Sequence, residues 1–262
     1  MDMVHAIYLG LLQGLTEFLP VSSSGHLAIA QHFLPDFEQP GLLFDIILHV
    51  GTLAAVILYF NNDIKNLLRA PWNKEPQGAE YRKLLLLIVF GSIPTAIIGL
   101  TFKDSIAAMF HNVLLVAAML LITGAFLFAA QQWRNGKRTI DNLTFTDAFI
   151  TGLVQGLAII PGISRSGSTI AVLLFRGVDA VTAARFSFLL SLPAILGAAL
   201  LSLGDMQNLP SEQLPAYLAG GAMAFLSGMV AIRMLLGILA RQRLRVFALY
   251  CWAVACAVFI LS

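Results

Sequence analysis

Six long apolar runs set the terms for this chain: residues 42–60, 84–102, 113–130, 186–203, 215–239 and 246–261. A helix of about 20 apolar residues crosses the hydrocarbon core of a bilayer, and each run meets or nearly meets that length. A soluble domain carries roughly a quarter charged residues. With 58% hydrophobic and 11% charged residues, this chain has too little polar surface to face water all round, so lipid must be the solvent for much of it. The apolar residues from Met3 lead into a polar cluster, not a small-residue cleavage site, so no signal peptide is expected. A net charge of +2 gives no footing for nucleic acid. Cys251 and Cys256 fall on different faces of one apolar helix, and neither a disulfide nor a metal site is expected of them.

Two further apolar regions are interrupted. Residues 4–19 break at Pro20 and Ser22-Ser23-Ser24-Gly25 and resume to about Leu34. Residues 147–160 break at Pro161-Gly162 and Ser164–Ser168 and resume to about Phe175. Broken backbone at membrane depth is tolerated only when buried in protein or lining a wet cavity, so both segments are expected to be re-entrant helix–loop–helix hairpins. Lys and Arg collect in cytoplasmic loops. Here they collect in 61–83 (Lys65, Arg69, Lys74, Arg82, Lys83), 131–146 (Arg134, Lys137, Arg138) and 240–245 (Arg241, Arg243, Arg245). Loops 35–41 and 204–214 have none, and 103–112 has only Lys103. Six crossings and two non-crossing hairpins put the three basic loops on one side and both termini outside the cytoplasm.

The two broken segments match without gaps at an offset of 142 residues: Gln13-Gly14-Leu15 with Gln155-Gly156-Leu157, Ser22 with Ser164, Ser24 with Ser166, and Gly25 with Gly167. The same offset lays 42–60 on 184–202. The expected fold is therefore an all-α polytopic membrane protein, one membrane domain over 1–262, made of an inverted repeat. Pseudo-repeat 1 covers about 1–130 and pseudo-repeat 2 about 147–262, each one hairpin plus three transmembrane helices. Inverted repeats with broken helices are a common way to build a polar site in lipid, and the two tips are expected to meet near the middle of the protein.

The chemistry lies at those tips. Gln13 and Glu17 are four apart and share a helix face. Glu17 is the only acidic residue in its apolar segment, and an ionisable group at that depth is expensive and usually functional. Its carboxylate could hold a divalent cation or act as a base. His26 follows Gly25 and could shuttle a proton. At the second tip, Arg165 offers a planar cationic fork suited to phosphate oxygens among Ser164, Ser166, Ser168 and Thr169. Gly162 and Gly167 let backbone N–H groups approach an anion, and the helix restarting at about Ser168 points its positive end inward. Blander readings exist for each feature. Serines can satisfy freed carbonyls, Glu17 could pair with Arg165 as a structural bridge, and a lone histidine is more often packed than catalytic. Together, a carboxylate, an imidazole, an arginine and many hydroxyls on two related tips favour a phosphate site.

Elsewhere, Arg185 opens a span and could snorkel or make a second phosphate contact, and Arg233 is expected to snorkel. Asp45 and His49, four apart, could pair or extend the polar cavity. Asp141 and Asp147 flank the second hairpin, where N-terminal capping is the default.

At the two motifs the chain resembles the undecaprenyl-diphosphate phosphatase family, also called the bacitracin-resistance proteins. The family's Glu/Gln-x-x-x-Glu, Ser-rich turn and His stand here as Gln13-x-x-x-Glu17 and Pro-Val-Ser-Ser-Ser-Gly-His26. Its Pro-Gly-x-Ser-Arg-Ser-x-x-Thr stands as Pro161-Gly-Ile-Ser-Arg-Ser-Gly-Ser-Thr169. The likeness extends across essentially the whole chain. It implies hydrolysis of undecaprenyl diphosphate to the monophosphate and inorganic phosphate at the outer face of the bacterial cytoplasmic membrane. That reaction recycles a lipid carrier for peptidoglycan synthesis. The likeness also implies bacitracin as a competitor for the substrate, and a divalent cation, Mg²⁺, as cofactor.

On this reading Glu17, with Gln13, holds the metal. Ser23 or water is the nucleophile, and His26 takes its proton or protonates the leaving group. Arg165 offsets transition-state charge, and Ser22, Ser24, Ser164, Ser166 and Thr169 bind substrate. The alternative is a transporter or flippase for the lipid monophosphate, which needs the anion cradle but no acid–base pair.

Overall fold

The computed structural model describes residues 2–34, 42–133, 135–201, 211–240 and 243–262. Loops 35–41 and 204–214 lie wholly or largely outside these residues, as do Arg134 and Arg241 of the basic loops. The described chain is helical: α1 Met3–Phe18, α2 Ser23–Phe33, α3 Leu42–Tyr59, α4 Asn61–Arg69, α5 Pro76–Thr101, α6 Lys103–Met109, α7 Val113–Ala130, α8 Phe145–Leu157, α9 Arg165–Phe175, α10 Ala180–Leu201, α11 Leu214–Ala240 and α12 Arg245–Leu261.

Among the described residues, four stretches are long and apolar enough to cross a membrane: Gly78–Thr101, Val113–Trp133, Ala180–Leu201 and Leu214–Leu239. A fifth arises if α3 and α4, which meet at a bend of 79°, count as one broken span. The last expected span, 246–261, is the 17-residue apolar helix α12. α4 has no counterpart among the expected helices, since it falls in the basic loop 61–83. It carries Leu67 inward and leaves Leu68 exposed, and Trp72, beyond its C-terminal end, is exposed as well.

The helices are stitched together where glycines remove side-chain bulk, as small residues commonly do between membrane helices. α1 lies along α11, where a Cβ on Gly10 would stand 2.2 Å from the Gly220 carbonyl oxygen. α8 lies along α5 in the same manner, with Gly152 against the Gly91 carbonyl. α3 also packs on α11 and α7 on α12. The start of α12 is fixed by Gln131, whose Oε1 accepts from the backbone N–H groups of Leu244 at 2.7 Å and Arg245 at 3.1 Å. These contacts give an acceptor to two N-terminal donors that the helix itself leaves without partners.

The two broken segments each form a pair of helices around a turn, α1–α2 and α8–α9, and the pairs share their local hydrogen bonding. Ser22 caps α2 by accepting from Gly25 N–H at 3.2 Å, and Ser164 caps α9 by accepting from Gly167 N–H at 3.0 Å. Ser22 lies 3.3 Å from Ser24, as Ser164 does from Ser166. The second hairpin's helix therefore restarts at Arg165, three residues before the expected Ser168, because the Ser164 cap supplies the free amide of Gly167, in the first turn, with an acceptor.

Outside the tips, three sequence expectations take definite form. Asp147 is the third residue of α8 in a capping box with Thr144, and its fully buried carboxylate also binds Arg138 at 2.6 Å and Arg176. Arg185 is held by Asp63 of α4, which also accepts from the Tyr81 hydroxyl at 2.9 Å, so it clasps α4 and α5 to α10 and does not stand with Glu17. Cys251 is buried, Cys256 is exposed, and both are free thiols.

Candidate active site

The two tips touch. Ser166 Oγ donates to the Leu19 carbonyl at 3.1 Å, and a Cβ built on Gly25 would lie 3.0 Å from Gly162 Cα. Gly162 itself has φ +94°, a left-handed conformation that L side chains seldom adopt, and its carbonyl accepts from Thr123 at 2.9 Å. This contact brings the last turn of α1 against the first turn of α9.

Glu17 is the hub. Its Oε1 pairs with Arg165 Nη2. Its Oε2 accepts from Gln13 Nε2 at 2.9 Å and from Ser23 Oγ at 2.6 Å, and His49 Nε2 stands 3.6 Å from the same oxygen. Glu17 is 7% exposed, a burial that an ionised carboxylate tolerates only with partners of this kind. The pairing with Arg165 answers the sequence question in an unexpected way: the two do form a bridge, but the bridge leaves a donor over. Arg165 Nη1 is buried without a partner among the described residues. A guanidinium clamped through one nitrogen, with a second desolvated and unspent, is a ready receptor for an anionic oxygen.

The remaining hydroxyls are mostly engaged in holding the tips. Ser22 and Ser164 are caps, Ser166 binds the opposite tip, and the Thr169 hydroxyl lies 2.8 Å from the Arg165 carbonyl and 2.6 Å from Ser187 Oγ. Ser22, moreover, has φ +69°, the one non-glycine positive φ among the described residues. Such a conformation costs about 1–3 kcal/mol and tends to be kept at functional turns. Ser23, next in the chain, is the hydroxyl that faces Glu17.

His26 is buried on α2 beside this turn, and its ring nitrogens are bonded to groups other than Glu17. Its Nδ1 donates to the Ser22 carbonyl at 2.7 Å, and its Nε2 lies 2.9 Å from the Tyr250 hydroxyl. Both ring nitrogens are thus engaged, which leaves the expected proton role of His26 without a free nitrogen in this arrangement. The sequence did not single out Tyr250, an aromatic residue in an apolar helix whose partner is 224 positions away. The sequence leaves two readings open for His49, a pair with Asp45 or an extension of the polar cavity, and its Nε2 stands at Glu17. Its Nδ1 donates to the Asp45 backbone carbonyl at 2.7 Å, while the Asp45 side chain accepts from Gln31 at 2.9 Å.

For a metal, the relevant donors are oxygens. Gln13 Oε1 is buried without a partner beside Glu17. An amide oxygen and a carboxylate side by side suit a hard divalent cation that takes the rest of its shell from phosphate and water. No cluster of three or more His, Cys, Asp or Glu fit to hold a metal occurs among the described residues.

Known proteins place the chain in a family. The family model described as "Bacitracin resistance protein BacA" matches residues 6–257. A protein of Syntrophotalea carbinolica named undecaprenyl-diphosphatase is 54% identical over 262 residues, covering 100% of both chains. Proteins with the same name from Alkaliphilus metalliredigens and Carboxydothermus hydrogenoformans are 45% and 41% identical, covering 100% of this chain and 99% and 98% of theirs. With its apolar helices and full-length relatives, the chain is a multi-pass membrane protein and belongs to the bacitracin resistance protein BacA family.

Proposed function

We propose that this protein hydrolyses undecaprenyl diphosphate to undecaprenyl phosphate and inorganic phosphate, and in doing so recycles the lipid carrier of peptidoglycan synthesis and confers bacitracin resistance. The activity is the one named for its full-length relatives. The observation that carries the site is the convergence of Ser23, Glu17 and Arg165, with one guanidinium nitrogen left over.

The diphosphate head enters from the outer side while the prenyl tail stays in lipid. Arg165 Nη1 takes an oxygen of the terminal phosphate. Glu17 Oε2, already accepting the Ser23 hydrogen bond, takes the Ser23 proton as Oγ attacks that phosphorus. The bond to the bridging oxygen breaks and the lipid monophosphate leaves. Water then attacks the phosphoserine, releasing inorganic phosphate and returning the proton to Ser23. The protein's share is positioning and electrostatics, which dominate catalysis of phosphoryl transfer. Gln13, through its unpartnered Oε1, and Glu17 while it is ionised would hold Mg²⁺, which would supply neutralisation of diphosphate charge. Ser22, Ser24, Ser164, Ser166 and Thr169 shape the cradle, and His26 braces the Ser22 turn.

In this reading the chain is one membrane domain with six crossings. The hairpins α1–α2 and α8–α9 are re-entrant, and the halves at about 1–130 and 147–262 form an inverted repeat with the basic loops in the cytoplasm and the site facing out. The matched serine caps of the two tips and the matched glycine seams of α1 with α11 and α8 with α5 support the repeat.

The deciding experiment measures phosphate release from a long-chain prenyl diphosphate by purified protein in detergent, with Mg²⁺ or with chelator. Metal-dependent release supports the assignment. No release from folded protein would turn attention to lipid transport, tested next in vesicles.

A further inference from the structure

His26 sits in a chain of contacts that starts outside its own hairpin. Tyr250 of α12 stacks on the imidazole, with ring centroids 5.5 Å apart and planes 4° from parallel, and its hydroxyl is 2.9 Å from Nε2. The Ser22 carbonyl can only accept, so the hydrogen of the neutral ring is on Nδ1, and Nε2 accepts from the Tyr250 hydroxyl. Both contacts fix the ring's tilt. Through Nδ1–H it holds the carbonyl of Ser22, the residue kept at φ +69°, which also accepts from the His26 backbone N–H at 3.1 Å. The next residue is Ser23, whose Oγ lies on Glu17.

Tyr250 is itself held. The preceding turn of α12 is fixed by Gln131. On its C-terminal side, Trp252 Nε1 donates to the Leu121 carbonyl at 3.1 Å, and Gly124 leaves space for that indole, since a Cβ there would be 2.4 Å from Nε1. Cys251 is fully buried, with Sγ 3.9 Å from the Pro20 carbonyl at the tip. The helix therefore presents the hydroxyl to His26 from a fixed position on both sides.

We propose that Tyr250 is a positioning residue for the reaction: acting through His26, it holds the Ser22–Ser23 turn in the left-handed conformation that sets Ser23 on Glu17. The strained turn needs such bracing, because a non-glycine residue at positive φ persists only when its surroundings over-determine it. This proposal rests on the phosphatase reading for its kinetic consequence, though not for its geometric one.

Full-length protein in detergent, assayed with prenyl diphosphate and Mg²⁺, tests it through Tyr250→Phe, His26→Ala and the double variant. Tyr250→Phe keeps the stacked ring and loses only the hydroxyl. It should lower kcat about tenfold, the order of one lost hydrogen bond, with KM nearly unchanged. The double variant should be no slower than His26→Ala, since the tyrosine acts only through the imidazole. Histidine side-chain ¹⁵N NMR should show the Nε2 resonance of one ring move in Tyr250→Phe. Unchanged kcat in Tyr250→Phe, or losses that multiply in the double variant, would overturn the proposal. If wild type releases no phosphate, the phosphatase reading falls; an unmoved Nε2 resonance then sinks the positioning role, and a shifted one upholds the geometric half of it.

Discussion

Glu17 stands in the last turn of α1 and Arg165 opens α9, and these residues, 148 positions apart, form one ion pair across the contact between two hairpins. Neither hairpin contains a complete site. The carboxylate and its serine come from the first, the guanidinium with its unspent nitrogen from the second.

Arg165→Ala should reduce phosphate release by at least about 100-fold, the usual cost of removing one transition-state donor. Arg165→Lys should recover little, because an ammonium can pair with Glu17 but has no rigid fork to reach a phosphate oxygen at the same time. Release rates of the two variants against wild type check this, and a Lys variant near wild-type rate would count against the forked contact.

Ser23→Ala and Glu17→Gln should each lower kcat, the second by about 10²–10⁴-fold if its carboxylate is the base. Rapid quenching and mass spectrometry should find phosphoserine on Ser23 in wild type and none in Ser23→Ala. Normal turnover in Ser23→Ala would instead assign the attack to water.

Chelator should stop phosphate release and added Mg²⁺ should restore it. Gln13→Ala should raise the Mg²⁺ concentration needed for half-maximal rate, by roughly tenfold for one lost oxygen donor. Gln13→Glu should lower it. A titration in which all three proteins coincide would remove Gln13 from the metal's shell.

Gly152→Ala should loosen the α5–α8 seam, because its Cβ would fall 1.7 Å from the Gly91 carbonyl oxygen, a backbone atom that cannot rotate away. Overpacking of this kind costs about 1–3 kcal/mol. A lower midpoint of thermal unfolding in detergent is the expected result, and Gly197→Ala, which meets nothing within 4 Å, is the matched control.

Asp147→Asn should also destabilise the fold, since it leaves Arg138 and Arg176 facing a neutral amide at the mouth of the second hairpin. Removing one partner of a buried pair costs about 3 kcal/mol, here reduced by the exposed edges of both arginines. Thermal unfolding again provides the measurement.

Much of this was legible before any coordinates. Ionisable residues in apolar runs are rare enough to stand out, so Glu17 and Arg165 announce themselves, and Pro–Ser–Gly breaks mark both tips. Helix ends were less legible. α5 begins at Pro76, eight residues before the apolar run at 84, because a proline in the first turn and a polar segment extend a helix beyond the lipid-like part. α4 is illegible because nine mixed residues carry no membrane signal, and only Ile64 and Leu67, three apart, share a helix face toward the core. The role of each tip hydroxyl was illegible: composition shows serines gathered, but only geometry separates Ser23, which faces Glu17, from Ser22 and Ser164, which cap. Tyr250 gave no signal, since aromatics are ordinary on a lipid-facing helix.

The contact between Gly25 and Gly162 has a pharmacological side. Their backbones approach so closely that even a methyl group at Gly25 would crowd Gly162 Cα. A small molecule lodged at that seam would need to imitate neither diphosphate nor prenyl chain. By prising the hairpins apart it would split the Glu17–Arg165 pair without touching either charged group.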